Sequence, residues 1–71
     1  MKTIGIRKEP ITLGQLLKLT EHIQTGGEAK FFLREPRVKV NGVTENRRGK
    51  KIFIGDVVTI DGVDYKVVSS D

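Results

Sequence analysis

Residues 37–42 read Arg37-Val38-Lys39-Val40-Asn41-Gly42, a strand followed by its turn. Arg37 and Lys39 alternate with Val38 and Val40 at the period of two that a half-buried strand requires. Asn41-Gly42 is a dipeptide that tolerates the two positive φ angles of a tight hairpin turn, so the chain doubles back after Val40. A second turn of this kind, Asp61-Gly62, joins residues 57–60 to 63–68. A two-residue loop there sets Ile60 opposite Val63 and Val58 opposite Tyr65 on one face. Between the hairpins, Ile52-Phe53-Ile54 has strand composition and Gly55-Asp56 turns the chain. The second half of the sequence is therefore a run of about four short strands.

Upstream of Arg37 the period changes. Pro36 disfavours the helical conformation at Glu35 and has no amide hydrogen to continue a helix, so the apolar stripe Ala29, Phe32 and Leu33 fits a short helix over about 27–35. Thr25-Gly26-Gly27 ends a preceding helix, and Thr25 is placed to cap the next one. That first helix runs over about 13–24. Thr12 is its N-cap, and Gln15 completes a capping-box spacing. Leu13, Leu16, Leu17, Thr20 and Ile23 fall within an arc of about 120°, with Gln15, Lys18 and His22 opposite and exposed. Residues 2–6 alternate, Ile4 and Ile6 on one side and Thr3 and Gly5 on the other, as a short strand that Pro10 closes off. The expected fold is α+β: two helices packed on a small antiparallel β-sheet, with an added N-terminal strand and a C-terminal β-hairpin, all in one domain spanning 1–71.

Seventy-one residues allow one small core, worth about 3–5 kcal/mol of net stability, which argues against a deep catalytic cleft. With no cysteine there is neither a disulfide framework nor thiolate-bound zinc, and a reducing cytoplasm fits. The longest unbroken apolar stretches, such as Phe31-Phe32-Leu33, fall short of a signal peptide's core and of a membrane span. His22 has no partner for a nucleophilic triad or a histidine metal site, and the only serines, Ser69 and Ser70, are in the tail. Asp56 and Asp61 are explained by turn chemistry, and no phosphate-binding loop is spelled out. No enzyme, cofactor, metal site or small-molecule substrate is expected, and the chain is expected to be monomeric.

The formal net charge of +4 is unevenly spread. Lys30, Arg34, Arg37, Lys39, Arg47, Arg48, Lys50 and Lys51 face only Glu35 and Glu45 between residues 30 and 51, a window of +6 in a chain that is otherwise −2. Lys30 and Arg34 are neighbours on one helix face, and Arg37 and Lys39 on one face of a strand. Such self-repulsion in a marginal domain points to an anionic partner, most simply a phosphate backbone. Phe31 lies about 160° from the centre of its helix's apolar stripe, beside Lys30 and Arg34. Either it is exposed there as a stacking platform for an unpaired base, or it packs under the N-terminal strand or a nearby loop.

The stretch from Thr12 to Ile60 resembles the S-four RNA-binding domain, named for small-subunit ribosomal protein four, and its small stand-alone bacterial members of YaaA and YbcJ type. The resemblance rests on Leu13, Leu16 and Leu17, Gly26-Gly27-Glu28-Ala29-Lys30, Arg37-Val38-Lys39-Val40-Asn41-Gly42, Arg47-Arg48-Gly49-Lys50-Lys51 and Gly55-Asp56-Val57-Val58. It implies the αL arrangement of that domain and a non-enzymatic protein that binds structured RNA, namely ribosomal RNA or a ribosome-assembly particle. By position it implies an RNA surface of Lys30, Arg34, Arg37, Lys39, Arg47 and Arg48, with Lys50 and Lys51 beside it. Thr25-Gly26 stands where the broader family has Ser-Arg, leaving that contact to Lys30 or to amides at the helix start. The alternative is a protein-interaction adaptor whose basic face meets an acidic protein surface.

Overall fold

Both dipeptide turns form as their chemistry demands. In the computed structural model, which describes residues 1–70, Asn41 and Gly42 have φ of 50° and 84°, and Asp61 and Gly62 have 50° and 82°. Around them the chain lays down β1 (Lys2–Ile6), β2 (Ile11–Thr12), α1 (Leu13–Leu19), α2 (Glu28–Phe32), β3 (Val38–Val40), β4 (Val43–Thr44), β5 (Lys51–Ile52), β6 (Val57–Ile60) and β7 (Val63–Ser69). The Asp61-Gly62 hairpin has the expected register, Ile60 opposite Val63 and Val58 opposite Tyr65. β6 also pairs with β3, Val38 opposite Ile60 and Val40 opposite Val58, so the apolar residues of both strands share a face.

One pairing departs from the expected antiparallel sheet. β1 lies beside β7 in parallel, from Lys2 opposite Tyr65 to Ile6 opposite Ser69, and the five-stranded sheet, ordered β1-β7-β6-β3-β4, is mixed. The alternation of Ile4 and Ile6 demands a face to bury, which Val67 supplies; it does not specify the direction of the neighbouring strand. β2 and β5 form a separate antiparallel pair, Ile11 opposite Ile52. The strand expected over 52–54 ends at Ile52, because Phe53 N–H turns to Asp56 Oδ2 at 2.8 Å and Ile54 N–H to Glu9 Oε2 at 2.8 Å.

The helices close over the apolar face of the sheet. Leu13, Leu16, Leu17, Ile23, Ala29, Phe32 and Leu33 are buried with Ile6, Val38, Val40, Ile52, Val58, Ile60 and Val67. Each large side chain taken from water contributes about 1.5–3 kcal/mol toward the ordering entropy of the chain.

α1 begins with the reciprocal capping box read from its sequence. Gln15 N–H donates to Thr12 Oγ1 at 3.1 Å, and Thr12 N–H donates to Gln15 Oε1 at 2.8 Å. The helix is shorter than the expected 13–24, because Glu21 adopts φ 64° and reverses the chain. Glu21 N–H then donates to Lys18 O and His22 N–H to Leu17 O, each at 3.0 Å, the paired bonds of a Schellman ending. Ile23 still reaches the core, but His22 leaves the solvent side on which an unbroken helix would have put it. Its ring stands edge-on to Phe32 at 5.7 Å and to Tyr65 at 6.1 Å. Glycine is the residue that adopts this left-handed position without strain. Glu21→Gly is therefore expected to stabilise the domain by about 1 kcal/mol, read as a higher urea midpoint at unchanged slope.

α2 is also shorter than the expected 27–35. Thr25 does not cap it through its hydroxyl, which donates to Glu28 Oε1 at 3.4 Å; the Thr25 carbonyl instead accepts from Glu28 N–H at 3.2 Å.

Candidate nucleic-acid interface

The basic loop after β4 is fixed from both ends. Glu45 N–H donates to Val38 O at 2.9 Å, extending the ladder past Thr44. Two residues on, Arg47 grips the Glu45 carboxylate with Nε at 2.9 Å, Nη2 at 3.1 Å and its own amide at 3.0 Å. The carbonyls of Arg48 and Lys50 then accept from the first amides of α1, Gly14 N–H at 2.9 Å and Leu13 N–H at 2.8 Å. These amides have no partner within their own helix, so the loop completes the helix start while the helix fixes the loop.

That arrangement opens a hollow of about 290 Å³ bordered by Gln15 and Lys18 of α1, Gly26 ahead of α2, and Arg48 and Gly49 of the loop. Lys30 lies outside the lining of this hollow, exposed on α2, which starts two residues after Gly26. Gly26 has open space where a side chain would begin, and Arg48 brings a cation to this spot from the loop. Lys18 was absent from the sequence reading of the basic surface. Nothing local distinguishes it from any solvated lysine, and only the bonds from Leu13 and Gly14 to the loop bring Arg48 to its helix.

The remaining expected site residues divide among several surfaces. Phe31 is 64% exposed, which excludes packing beneath the N-terminal strand, and the Arg34 guanidinium lies 5.1 Å from its ring centroid. Lys50 and Lys51 border a second hollow of about 370 Å³ together with Arg47, Val43 and Phe53. Lys39 alternates with the buried Val38 and Val40, so it stands on the outer face of the sheet opposite Thr59 and Thr44, away from the helices.

Arg37 and Arg47 are engaged within the protein. Arg37 donates from Nε and Nη2 to the two Asp61 oxygens, both at 2.8 Å, and its guanidinium covers the Phe32 ring at 3.8 Å. These two are the only ion pairs among the described residues. The hydrogen bond from Arg37 holds the Asp61 carboxyl below the usual range, and the same bond raises Arg37. Hydrogen bonds from the Arg47 side chain and amide lower the Glu45 carboxyl to about 2. A depressed carboxyl stabilises the folded state above its ordinary value, and that contribution fades as pH falls toward the lowered one. Glu45 is thus expected to keep its ionised carboxyl ¹³C shift down to about pH 3, as checked by NMR titration; a midpoint near 4.5, its ordinary value, would show the pair to be open in solution.

Among the described residues no group of three or more histidine, cysteine, aspartate or glutamate side chains is placed to hold a metal, and no helix is long and apolar enough to cross a membrane. The S4 domain model matches residues 4–68. A probable ribosome maturation protein, RlbA, of Bacillus subtilis (strain 168) is 58% identical over 59 residues, 83% of each chain. A putative RNA-binding protein, YbcJ, of Escherichia coli (strain K12) is 37% identical over 70 residues, covering 97% of this chain and all of the relative. The solution structure of the Escherichia coli YbcJ, described as revealing an αL motif involved in RNA binding, matches with a TM-score of 0.61 at 34% identity, over 96% of this chain and 85% of that one. With the match spanning both helices and nearly all of the sheet, the chain belongs to the S4 domain family.

Proposed function

We propose that this protein is a non-enzymatic, cytoplasmic, monomeric RNA-binding module that docks its α1, α2 and basic-loop surface on structured RNA, with ribosomal RNA or an assembling ribosomal particle as its target. The observation that carries the reading is the meeting of Lys18 of α1 and Arg48 of the basic loop at one open hollow, neither of them in an ion pair. The names carried by the RlbA and YbcJ relatives support RNA as the partner and ribosome maturation as the setting. Phosphates supply most of the attraction, and the fixed loop and helix flank supply selectivity for a folded RNA shape.

Six cations outside ion pairs, Lys18, Lys30, Arg34, Arg48, Lys50 and Lys51, set the expected salt dependence. Log K against log salt for structured RNA is expected to slope by roughly −4 to −5, at about 0.7–0.9 per phosphate neutralised. A slope near −1 would sink the proposal. Association with ribosomes that survives both RNase and high salt would favour an adaptor that meets an acidic protein surface.

A further inference from the structure

A third hollow, of about 290 Å³, lies on the other flank of α2, bordered by His22, Ile23, Glu28, Phe31, Phe32 and Arg37. We propose that it is a nucleobase pocket that selects unpaired guanine, an inference that rests on the RNA-binding reading above and adds base specificity to it.

The platform is Phe31, three residues after Glu28 on the same side of α2 and largely exposed. Arg34 covers one face of the ring, leaving the other for a base. Stacking alone accepts any base, because every base has a π-face. The polar groups at the border are what discriminate. Among the described residues Glu28 is the only acid bordering this hollow, and it opens a helix whose exposed cation is Lys30. Against phosphate a carboxylate there is repulsive, whereas against a base edge it is an acceptor with two oxygens side by side.

Its existing bonds are long: Gln24 N–H and the Thr25 hydroxyl both reach it at 3.4 Å, so it is free to exchange them for shorter ones. Guanine alone offers two adjacent donors, N1–H and the N2 amino group, on its Watson–Crick edge. Adenine and cytosine each put an acceptor beside their one amino group, and uracil flanks its single N–H with two carbonyls; each would set a lone pair against the carboxylate.

His22 adds a ring edge to the border. The His22 Nδ1 lies 2.6 Å from Thr20 Oγ1, which holds the ring at the border of the hollow. Arg37 keeps Nη1 outside its pair with Asp61, a donor for guanine O6. The Glu28 carboxylate and Arg37 Nη1 together match the two donors and the O6 acceptor of guanine's Watson–Crick edge.

The test uses RNA stem–loops whose loops are all uridine except for one central nucleotide, G, inosine or A. The G loop is expected to bind about tenfold more tightly than the A loop, with inosine, which lacks the N2 amino group, in between. Glu28→Gln is expected to bring G and A to within about twofold at unchanged thermal stability, and Phe31→Ala to abolish the preference while leaving salt-dependent binding in place. Equal, salt-dependent affinity for all three loops overturns the pocket and leaves the electrostatic docking standing. Absence of salt-dependent binding to every stem–loop brings down the RNA-binding reading itself, and the pocket with it.

Discussion

Replacing Lys18, Lys30 and Arg48 together by glutamate is expected to lower affinity for structured RNA at 0.1 M salt by about two to three decades, and to flatten the salt slope by roughly 2–3. Each phosphate contact is worth about 0.7–0.9 of a decade per decade of salt, so three lost contacts account for the loss before the new repulsion is counted. None of the three makes an ion pair, and the expected stability cost is the reversed charge of Lys18 in the last turn of α1, about 1 kcal/mol. The measurement is anisotropy of a labelled RNA across a salt series, with circular dichroism to establish folding. An unchanged slope in a folded triple variant would remove this hollow from the interface. The matching control is Lys39→Glu, on the outer face of the sheet, which is expected to leave the slope within about one contact of the parent.

Leu17→Ala is expected to be the most damaging single change to the fold. The side chain is fully buried, and such truncations cost about 2–5 kcal/mol. A core of this size supplies only about 3–5 kcal/mol, so a large fraction of the molecules would be unfolded at 25 °C. The Leu17 carbonyl, which alanine retains, still accepts from the Thr20 hydroxyl, His22 N–H and Ile23 N–H, so the loss is that of the buried side chain. Thermal melting by circular dichroism checks this, and a cooperative transition with an unchanged midpoint would contradict it. Leu19→Ala is the contrast: Leu19 is 53% exposed, and its loss is expected to change stability by no more than about 0.5 kcal/mol.

Legibility in the sequence followed the range of the interaction responsible. Asn41-Gly42, Asp61-Gly62 and the Thr12–Gln15 box are each complete within four residues, and each formed as read. The buried face of α1 was equally plain in Leu13, Leu16 and Leu17. Its end was not, because the residue that turns left-handed is Glu21 rather than a glycine. The parallel docking of β1 on β7 joins segments at opposite ends of the chain and leaves no local mark.

The interface shows the same limit. Charge counting located the cations but not their partners. Asp61, 24 residues beyond Arg37 in sequence, ties up a guanidinium that looked free, and Lys18 enters only through backbone bonds to a loop some thirty residues away. The exposure of Phe31 was legible as one of two alternatives from its angle on the helix, and the structure selects between them.

The two carbonyls that Arg48 and Lys50 extend to Gly14 and Leu13 make the loop and the first helix a single cooperative element. A ligand that holds the loop must also hold the helix, and thermodynamic reciprocity requires that a firmer helix hold the ligand better. Stabilising the end of α1 at Glu21 therefore raises apparent affinity only under conditions that leave a measurable fraction of the chain unfolded, such as moderate urea, and does so through no new contact. Under those conditions fold stability and affinity become coupled readouts.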